Sequence, residues 1–260
     1  MATTIAIASG KGGTGKTTTS ANLSVALTKF GKDVIVLDLD IAMANLELVM
    51  GLDGKSITLN DVLAGRADIM DAIYEGPNGV KVVPAGISLD AFRKAKPERL
   101  MDVLTKLHGM CDIMILDCPA GIGKEALTAV SAAEHLILLV NPEISSISDA
   151  LKVVAISKRF ETNILGTIIN RASLEDTELS SKAIETILEV PLLGMIPEDP
   201  NIRRCAAFGE PIVLKYPNSP AAQAIMQIAA KLTGKEYIPT KTEEKSLVKK
   251  FIKGLFGGKK

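Results

Sequence analysis

Residues 9–19 read Ser9-Gly10-Lys11-Gly12-Gly13-Thr14-Gly15-Lys16-Thr17-Thr18-Thr19. Before them runs Thr3-Thr4-Ile5-Ala6-Ile7-Ala8, an apolar, β-branched stretch that reads as a buried strand. After them Ala21, Leu23, Val25, Ala26, Leu27 and Phe30 recur at helical spacing. Strand, glycine loop and helix are the setting that the pattern G-x-x-x-x-G-K-[ST] requires, and Gly10, Gly15, Lys16 and Thr17 satisfy it. Glycines let successive backbone N–H groups turn inward around a polyphosphate, and the helix N-terminus adds partial positive charge. Lys16 is expected to reach the β- and γ-phosphates, and the Thr17 hydroxyl to ligate Mg²⁺. The alternative is a glycine-rich turn that matches by chance.

The early lysine sharpens the pattern. Gly10-Lys11-Gly12-Gly13-Thr14-Gly15-Lys16-Thr17 resembles the loop of the deviant Walker A ATPases, the MinD/ParA family of P-loop proteins. The resemblance implies ATP and Mg²⁺ as ligands and a homodimer formed with ATP. It also implies that Lys11 reaches across the interface to the other subunit's nucleotide. The plainer reading of Lys11 is a solvated loop lysine.

Composition fits one α/β domain of 260 residues, 47% hydrophobic and without Trp, so its core must be Ile, Leu, Val, Ala and Met. Thirty basic and thirty acidic residues give no overall bias toward nucleic acid. Residues 246–260 hold five lysines and no acid, which leaves the remainder at a net of about −5. Cys111, Cys118 and Cys205 form no C-x-x-C pair, which argues against zinc and against a disulfide framework. The chain enters a strand at once, with no signal peptide, and no apolar run approaches a membrane span, so a cytoplasmic protein is expected.

Val34-Ile35-Val36-Leu37 reads as the second strand and delivers Asp38-Leu39-Asp40 to the edge where α/β ligands bind. The resemblance gives Asp38 a Mg²⁺-bound water and Asp40 the orientation of the attacking water; a turn or helix cap is the structural alternative. Short helices are expected within 57–73, a strand at Val80–Pro84, and a helix after Pro97 with Leu100, Val103, Leu104 and Leu107 on one face. Ile113-Met114-Ile115-Leu116 ends in Asp117, a carboxylate placed for a Mg²⁺ shell. The following Cys118-Pro119-Ala120-Gly121 resembles the family's second switch, in which the Gly121 amide would sense the γ-phosphate.

His135–Val140 reads as a central strand, followed by a helix from Ile147 to Phe160 with Leu151, Val154 and Ala155 inward. In the family the matching helix surface meets regulatory partners; an ordinary solvated face is the alternative. Leu165–Arg171 is a further strand, whose Asn170 amide could pair with an adenine edge, with Arg171 beside it. Pro197-Glu198-Asp199, after the strand Leu192–Ile196, resembles the family's base-covering loop. Helices are expected near 200–208 and 219–233.

From Pro239 the character changes. Residues 239–245 read as a linker between a 1–238 ATPase domain and a helix at 246–260. At about 100° per residue, Leu247, Val248, Phe251, Ile252, Leu255 and Phe256 fall on one half of the wheel, and Lys249, Lys250 and Lys253 on the other. Apolar rings opposite lysines mark a helix lying in an anionic bilayer surface, and the segment resembles the membrane-targeting tail of the MinD branch. A terminal helix packed on its own domain is the alternative.

The expectation is therefore a mostly parallel α/β sheet with helices on both faces and an ATPase that dimerises with ATP. It would associate peripherally with the inner face of the cell membrane and position regulatory protein partners. A ParA-like DNA-partitioning ATPase is the second reading; its DNA-binding surface would need basic charge on the domain rather than in a tail. An iron–sulfur carrier on the same fold is the third, and needs paired cysteines.

Overall fold

The computed structural model describes residues 2–239 except 42, 87–92, 174 and 176. The linker beyond Pro239 and the amphipathic segment at 246–260 lie outside the described residues. Eight strands form one sheet: β1 Thr3–Ala8, β2 Val34–Asp38, β3 Tyr74–Glu75, β4 Lys81–Val83, β5 Ile113–Asp117, β6 His135–Val140, β7 Asn163–Ala172 and β8 Leu192–Pro197. Their order is β3-β4-β2-β5-β1-β6-β7-β8. All pairings are parallel except that of the two-residue β3 with β4. The strand order reverses at β1, with β5 on one side and β6 on the other, which opens a ligand crevice beyond its carboxyl end.

Alternation along the strands builds two cores. Ile5, Ile7, Val34, Val36, Ile113, Ile115, Ile137 and Leu139 face one layer, which contains α1 (Lys16–Lys29), α2 (Leu46–Val49), and three later helices: α8 (Pro200–Ala207), α9 (Ile212–Lys215) and α10 (Pro220–Thr233). Ala6, Ala8, Ile35, Leu37, Met114, Leu116, Leu136 and Leu138 face the other. That layer is made by α3 (Leu59–Leu63), α4 (Leu100–Leu107), α5 (Lys124–Ser131), α6 (Ile144–Arg159) and α7 (Ser181–Leu188). A sheet covered on both faces accounts for strands that read as continuous apolar runs. Among the described residues no Phe or Tyr is buried, and aliphatics and alanine, with a few Met and Cys, fill both layers.

One inward face differs from the expectation. In α6 the buried positions are Ser146, Ile147, Ala150, Val153, Val154 and Ser157, whereas Leu151 is 41% exposed and Ala155 is exposed. The helix also begins three residues earlier than expected, at Ile144. The inner stripe mixes Ile and Val with Ala and Ser, and at Asp149 the backbone of α6 lies close against the glycine loop. A Cβ on Gly10 would stand 2.2 Å from the Asp149 carbonyl carbon. Gly10 is thus required by close approach of two backbones.

Candidate functional site

The loop between β1 and α1 takes left-handed geometry at Gly13 (φ 75°) and Gly15 (φ 93°). Gly15 stands at the N-cap of α1, which has no side-chain cap and no acidic residue in its first turn. Its first N–H groups are therefore left to a ligand, with the positive end of the helix behind them. Lys16 is 7% exposed, and its Nζ donates to Ser9 Oγ at 2.9 Å, while Ser9 Oγ donates to the Lys11 carbonyl at 2.7 Å. Burial lowers the Lys16 pKa, against the opposing pull of Asp117 and Asp40. Ser9 and its bond were not legible in the motif, since serine before the first glycine is outside the pattern.

Strand register brings the carboxylates together. Asp38 and Asp117 are direct partners in the β2–β5 ladder, and Ile7, just ahead of the loop, pairs with Asp117 on the other side. Asp117 Oδ1 accepts from Ser20 Oγ at 2.9 Å, one helical turn past Lys16, whereas its Oδ2 is buried without a hydrogen-bond partner. Burial pushes the Asp117 carboxyl up to about 6, although Thr17, Ser20 and Lys16 draw it down. Burial, and then the neighbouring Asp117, raises Asp38 as well.

Asp38 has a structural occupation. Its Oδ1 accepts from Asp40 N at 3.0 Å, and its Oδ2 from Asn45 N and Leu46 N, both at 3.1 Å. It thereby anchors the loop that carries Asp40 and satisfies backbone donors at the start of α2. Asp40 is half-buried, accepts from Met43 N at 3.2 Å, and lies in the field of Lys16 and Glu125; burial raises its pKa. Gly121 is left-handed (φ 79°), and its N–H donates to Ser9 O at 3.1 Å, so the second switch rests on the same serine as Lys16.

Lys11 is held elsewhere. Its Nζ donates to Glu143 Oε2 at 2.7 Å and to Ser145 Oγ at 3.0 Å, at the start of α6. Neither partner was singled out from the sequence; they lie more than 130 residues away.

On the far side of the loop a cleft is lined by Gly15, Thr18, Thr19, Asn170, Arg171 and Glu198, over a floor of Ile196, Ile202 and Ile225. Asn170 Nδ2 donates to Thr14 O at 2.7 Å, so one amide N–H braces the glycine loop and leaves the other and the carbonyl. Arg171 is left-handed (φ 56°), and Glu198 Oε2 lies 4.0 Å from its Nε. Arg203, absent from the sequence reading, closes the cleft 3.4 Å from Glu198 Oε1. Asp199 is buried, and its Oδ1 caps α8 through Asn201 N at 2.9 Å. Pro197 ends β8 and sets this loop's direction.

The donor set fits a Mg–nucleotide. Unpartnered buried oxygens, Thr14 Oγ1 and Asp117 Oδ2, sit in the loop and at the strand end beside it. They are hard oxygen donors of the kind Mg²⁺ takes. Among the described residues no group of three or more His, Cys, Asp or Glu forms a metal cage, so a cation would be shared with phosphate oxygens and water.

Residues 1–233 match the family model described as ParA, NUBPL iron-transfer P-loop NTPase. An uncharacterized ATP-binding protein of Methanocaldococcus jannaschii is 68% identical over 99% of this chain and 98% of its own length. The septum site-determining protein MinD of Pyrococcus horikoshii, solved with Mg-ADP, superposes with a TM-score of 0.86 at 43% identity, covering 89% of this chain and 96% of that one. MinD in a MinC:MinD cell division complex of Aquifex aeolicus gives 0.81 at 36% identity, over 93% and 99%. Cobyrinic acid a,c-diamide synthase of Mycobacterium smegmatis, solved with an ATP analog and magnesium, gives 0.73 at 26% identity, over 93% and 100%.

Proposed function

Because the chain belongs to the ParA/MinD family of P-loop ATPases, we propose that it is a MinD-type switch. ATP pairs two copies, residues 246–260 bind an anionic membrane surface, and the paired form places a partner protein at the inner face of the cell membrane. The carrying observation is the division of labour between two loop lysines. Lys16 lies under the phosphate cradle, whereas Lys11 is held at its rim by Glu143 and Ser145. A MinC:MinD complex among the similar structures supports a protein partner.

Within the site, Lys16 and the first N–H groups of α1 bind and orient the triphosphate. Thr17 and Asp117, with Asp38 and Asp40 behind them, would hold Mg²⁺, which neutralises charge at the β- and γ-phosphates. Asp40 orients the attacking water and takes its proton on a carboxylate oxygen. Asn170, Arg171, Pro197, Glu198 and Asp199 shape the base end, and Gly121 N–H exchanges Ser9 O for the γ-phosphate.

For Lys11 to act in trans, its bonds to Glu143 and Ser145 must be exchanged for a phosphate of the partner subunit. Lys11→Ala is expected to lower dimerisation and turnover together while leaving nucleotide affinity within a few-fold of wild type. Sedimentation velocity with ATP reads the first, phosphate release the second. A variant that dimerises normally removes Lys11 from the interface.

A single short amphipathic helix holds a bilayer weakly and reversibly. Two tails on one dimer gain on the order of 10²–10⁴ in avidity without a new contact, so ATP controls residence by controlling tail number. Liposome sedimentation tests this. Wild type with ATP should pellet with anionic vesicles. The ADP form, a chain ending at 245, and Phe251→Glu with ATP should all remain in the supernatant, with Phe251→Glu still dimeric. Equal binding of the ADP and ATP forms would falsify the coupling.

A further inference from the structure

The chain leaves α10 at Gly234, and Lys235 and Tyr237 then line a groove together with Leu193, Gly194 and Met195 of β8, an edge strand of the sheet. Lys235 Nζ donates to Phe30 O, and Tyr237 packs edge-on against the Phe30 ring, with centroids 6.5 Å apart. These contacts fix the root of the tail beside the C-terminal end of α1, at the pole opposite the nucleotide. Next to this root, between β8 and the lower half of α10, lies an open groove of about 220 Å³. That exceeds the roughly 150 Å³ apolar cavity that admits benzene. Leu193, Met195, Ala224 and Ile228 supply its apolar lining, and Tyr237 its wall toward the tail.

The rim is cationic. Lys231 Nζ donates to Leu193 O at 2.6 Å, and Lys235 Nζ to Phe30 O. Carbonyl oxygens fix the direction of an ammonium group without cancelling its charge, and each ammonium keeps two further donors. Among the described residues both lysines are held by carbonyl oxygens rather than by carboxylates, although Glu236 follows Lys235 directly in sequence. Ile238, the last apolar residue before the tail, is 84% exposed. An aromatic with a polar tip, an exposed aliphatic and two unneutralised lysines around an apolar slot form a membrane-interface composition. They are continuous in sequence with the lysine-rich tail.

We infer that the groove at the β8 edge, rimmed by Lys231 and Lys235, is a second membrane contact that takes an anionic phospholipid, phosphate on the lysines and upper acyl chain in the slot. The inference rests on the tail reading above and adds an orientation to it. A tail alone would leave the domain free to tumble, whereas a lipid at the β8 edge sets that edge against the bilayer.

The test uses full-length protein with ATP and vesicles of phosphatidylcholine with or without phosphatidylglycerol. The double variant Lys231→Gln/Lys235→Gln keeps an N–H donor at each position. Each lysine near an anionic surface contributes a factor of about five, so affinity for the anionic vesicles should fall roughly 20- to 30-fold. Thermal midpoint and lipid-free ATP turnover should be unchanged, since neither lysine touches the nucleotide site. Hydrogen exchange should slow at 192–196 and 224–238 when vesicles are added. Wild-type affinity in the double variant, or slowing confined to 246–260, overturns the inference; if Phe251→Glu also abolishes binding, the tail anchor stands without it. Binding that survives Phe251→Glu but falls with the lysine pair supports the groove and overturns the tail. Loss of duplex DNA binding with vesicle affinity retained would assign the patch to nucleic acid and overturn it as well.

Discussion

Asp40→Ala is expected to bind ATP at least as tightly as wild type and to hydrolyse it 10²- to 10⁴-fold more slowly. The asymmetry follows from where the carboxylate stands. Asp40 is half-buried in the field of Lys16, and the loop beneath it is pinned by Asp38 through Asp40 N, Asn45 N and Leu46 N. Removing the Asp40 side chain leaves those three bonds in place, so the loop keeps its path. It also removes a negative charge from the field of Lys16, which eases binding of the triphosphate, while Thr17, Asp38 and Asp117 remain to hold Mg²⁺. What is lost is the group that orients water, and that matters for the chemical step alone. Lys16→Ala should do the reverse and abolish detectable ATP binding, because the carboxylates of Asp117 and Asp40 then face the phosphates without the ammonium. Equilibrium binding of a fluorescent ATP analogue separates the two variants, and phosphate release gives the rates. Burial raises the Asp40 pKa, so wild-type turnover should begin to fall on acidification above the pH at which an exposed aspartate would protonate. Normal turnover in Asp40→Ala removes the residue from the chemistry.

The loop and its flanks were readable because their information is local. A β-branched run, glycines where φ must be positive and a helix without an acidic first turn are all encoded within some thirty residues. The ends of β2 and β5 were readable for the same reason. That Asp38 and Asp117 stand side by side was not, because it depends on β5 inserting between β2 and β1, and strand order is set by packing over the whole chain. The α6 face was misread because hydrophobicity weights Leu151 above Ala150 and Ser157. The buried stripe instead follows positions 146, 147, 150, 153, 154 and 157, which turns Leu151 and Ala155 outward. β3 escaped notice because two residues carry no periodicity. The floor of the base cleft is assembled from β8, α8 and α10, and Lys11's partners come from the start of α6; no local pattern announces either.

Asp117→Asn should stop hydrolysis and, at the same time, stabilise the ligand-free protein at neutral pH. The wild-type carboxyl titrates at about 6 in the fold because burial disfavours its charge, against roughly 3.9 for a free aspartate. Between those values the folded chain holds a proton that the unfolded chain has released. Stability from this group is therefore fully present below about pH 4 and is lost as pH rises to about 6. At pH 7 the charge is a standing cost, on the order of 1–3 kcal/mol after the new amide's own unmet N–H is set against it. Asparagine keeps an oxygen for Ser20 Oγ, so the α1–β5 link survives. An increase of that size corresponds to a Tm gain of roughly 2–10 °C for a domain of this length. Below pH 4 wild type and variant should converge, since the carboxyl is then neutral in both states. Adding Mg·ATP should reverse the ranking at pH 7. Wild type then gains the ligand's binding energy, while the variant has lost the anionic oxygen that helps to hold the cation. Thermal denaturation at pH 4 and 7, with and without Mg·ATP, reads all four terms. A variant less stable than wild type at pH 7 without nucleotide would show that the buried Asp117 is held by compensating contacts rather than kept for the cation.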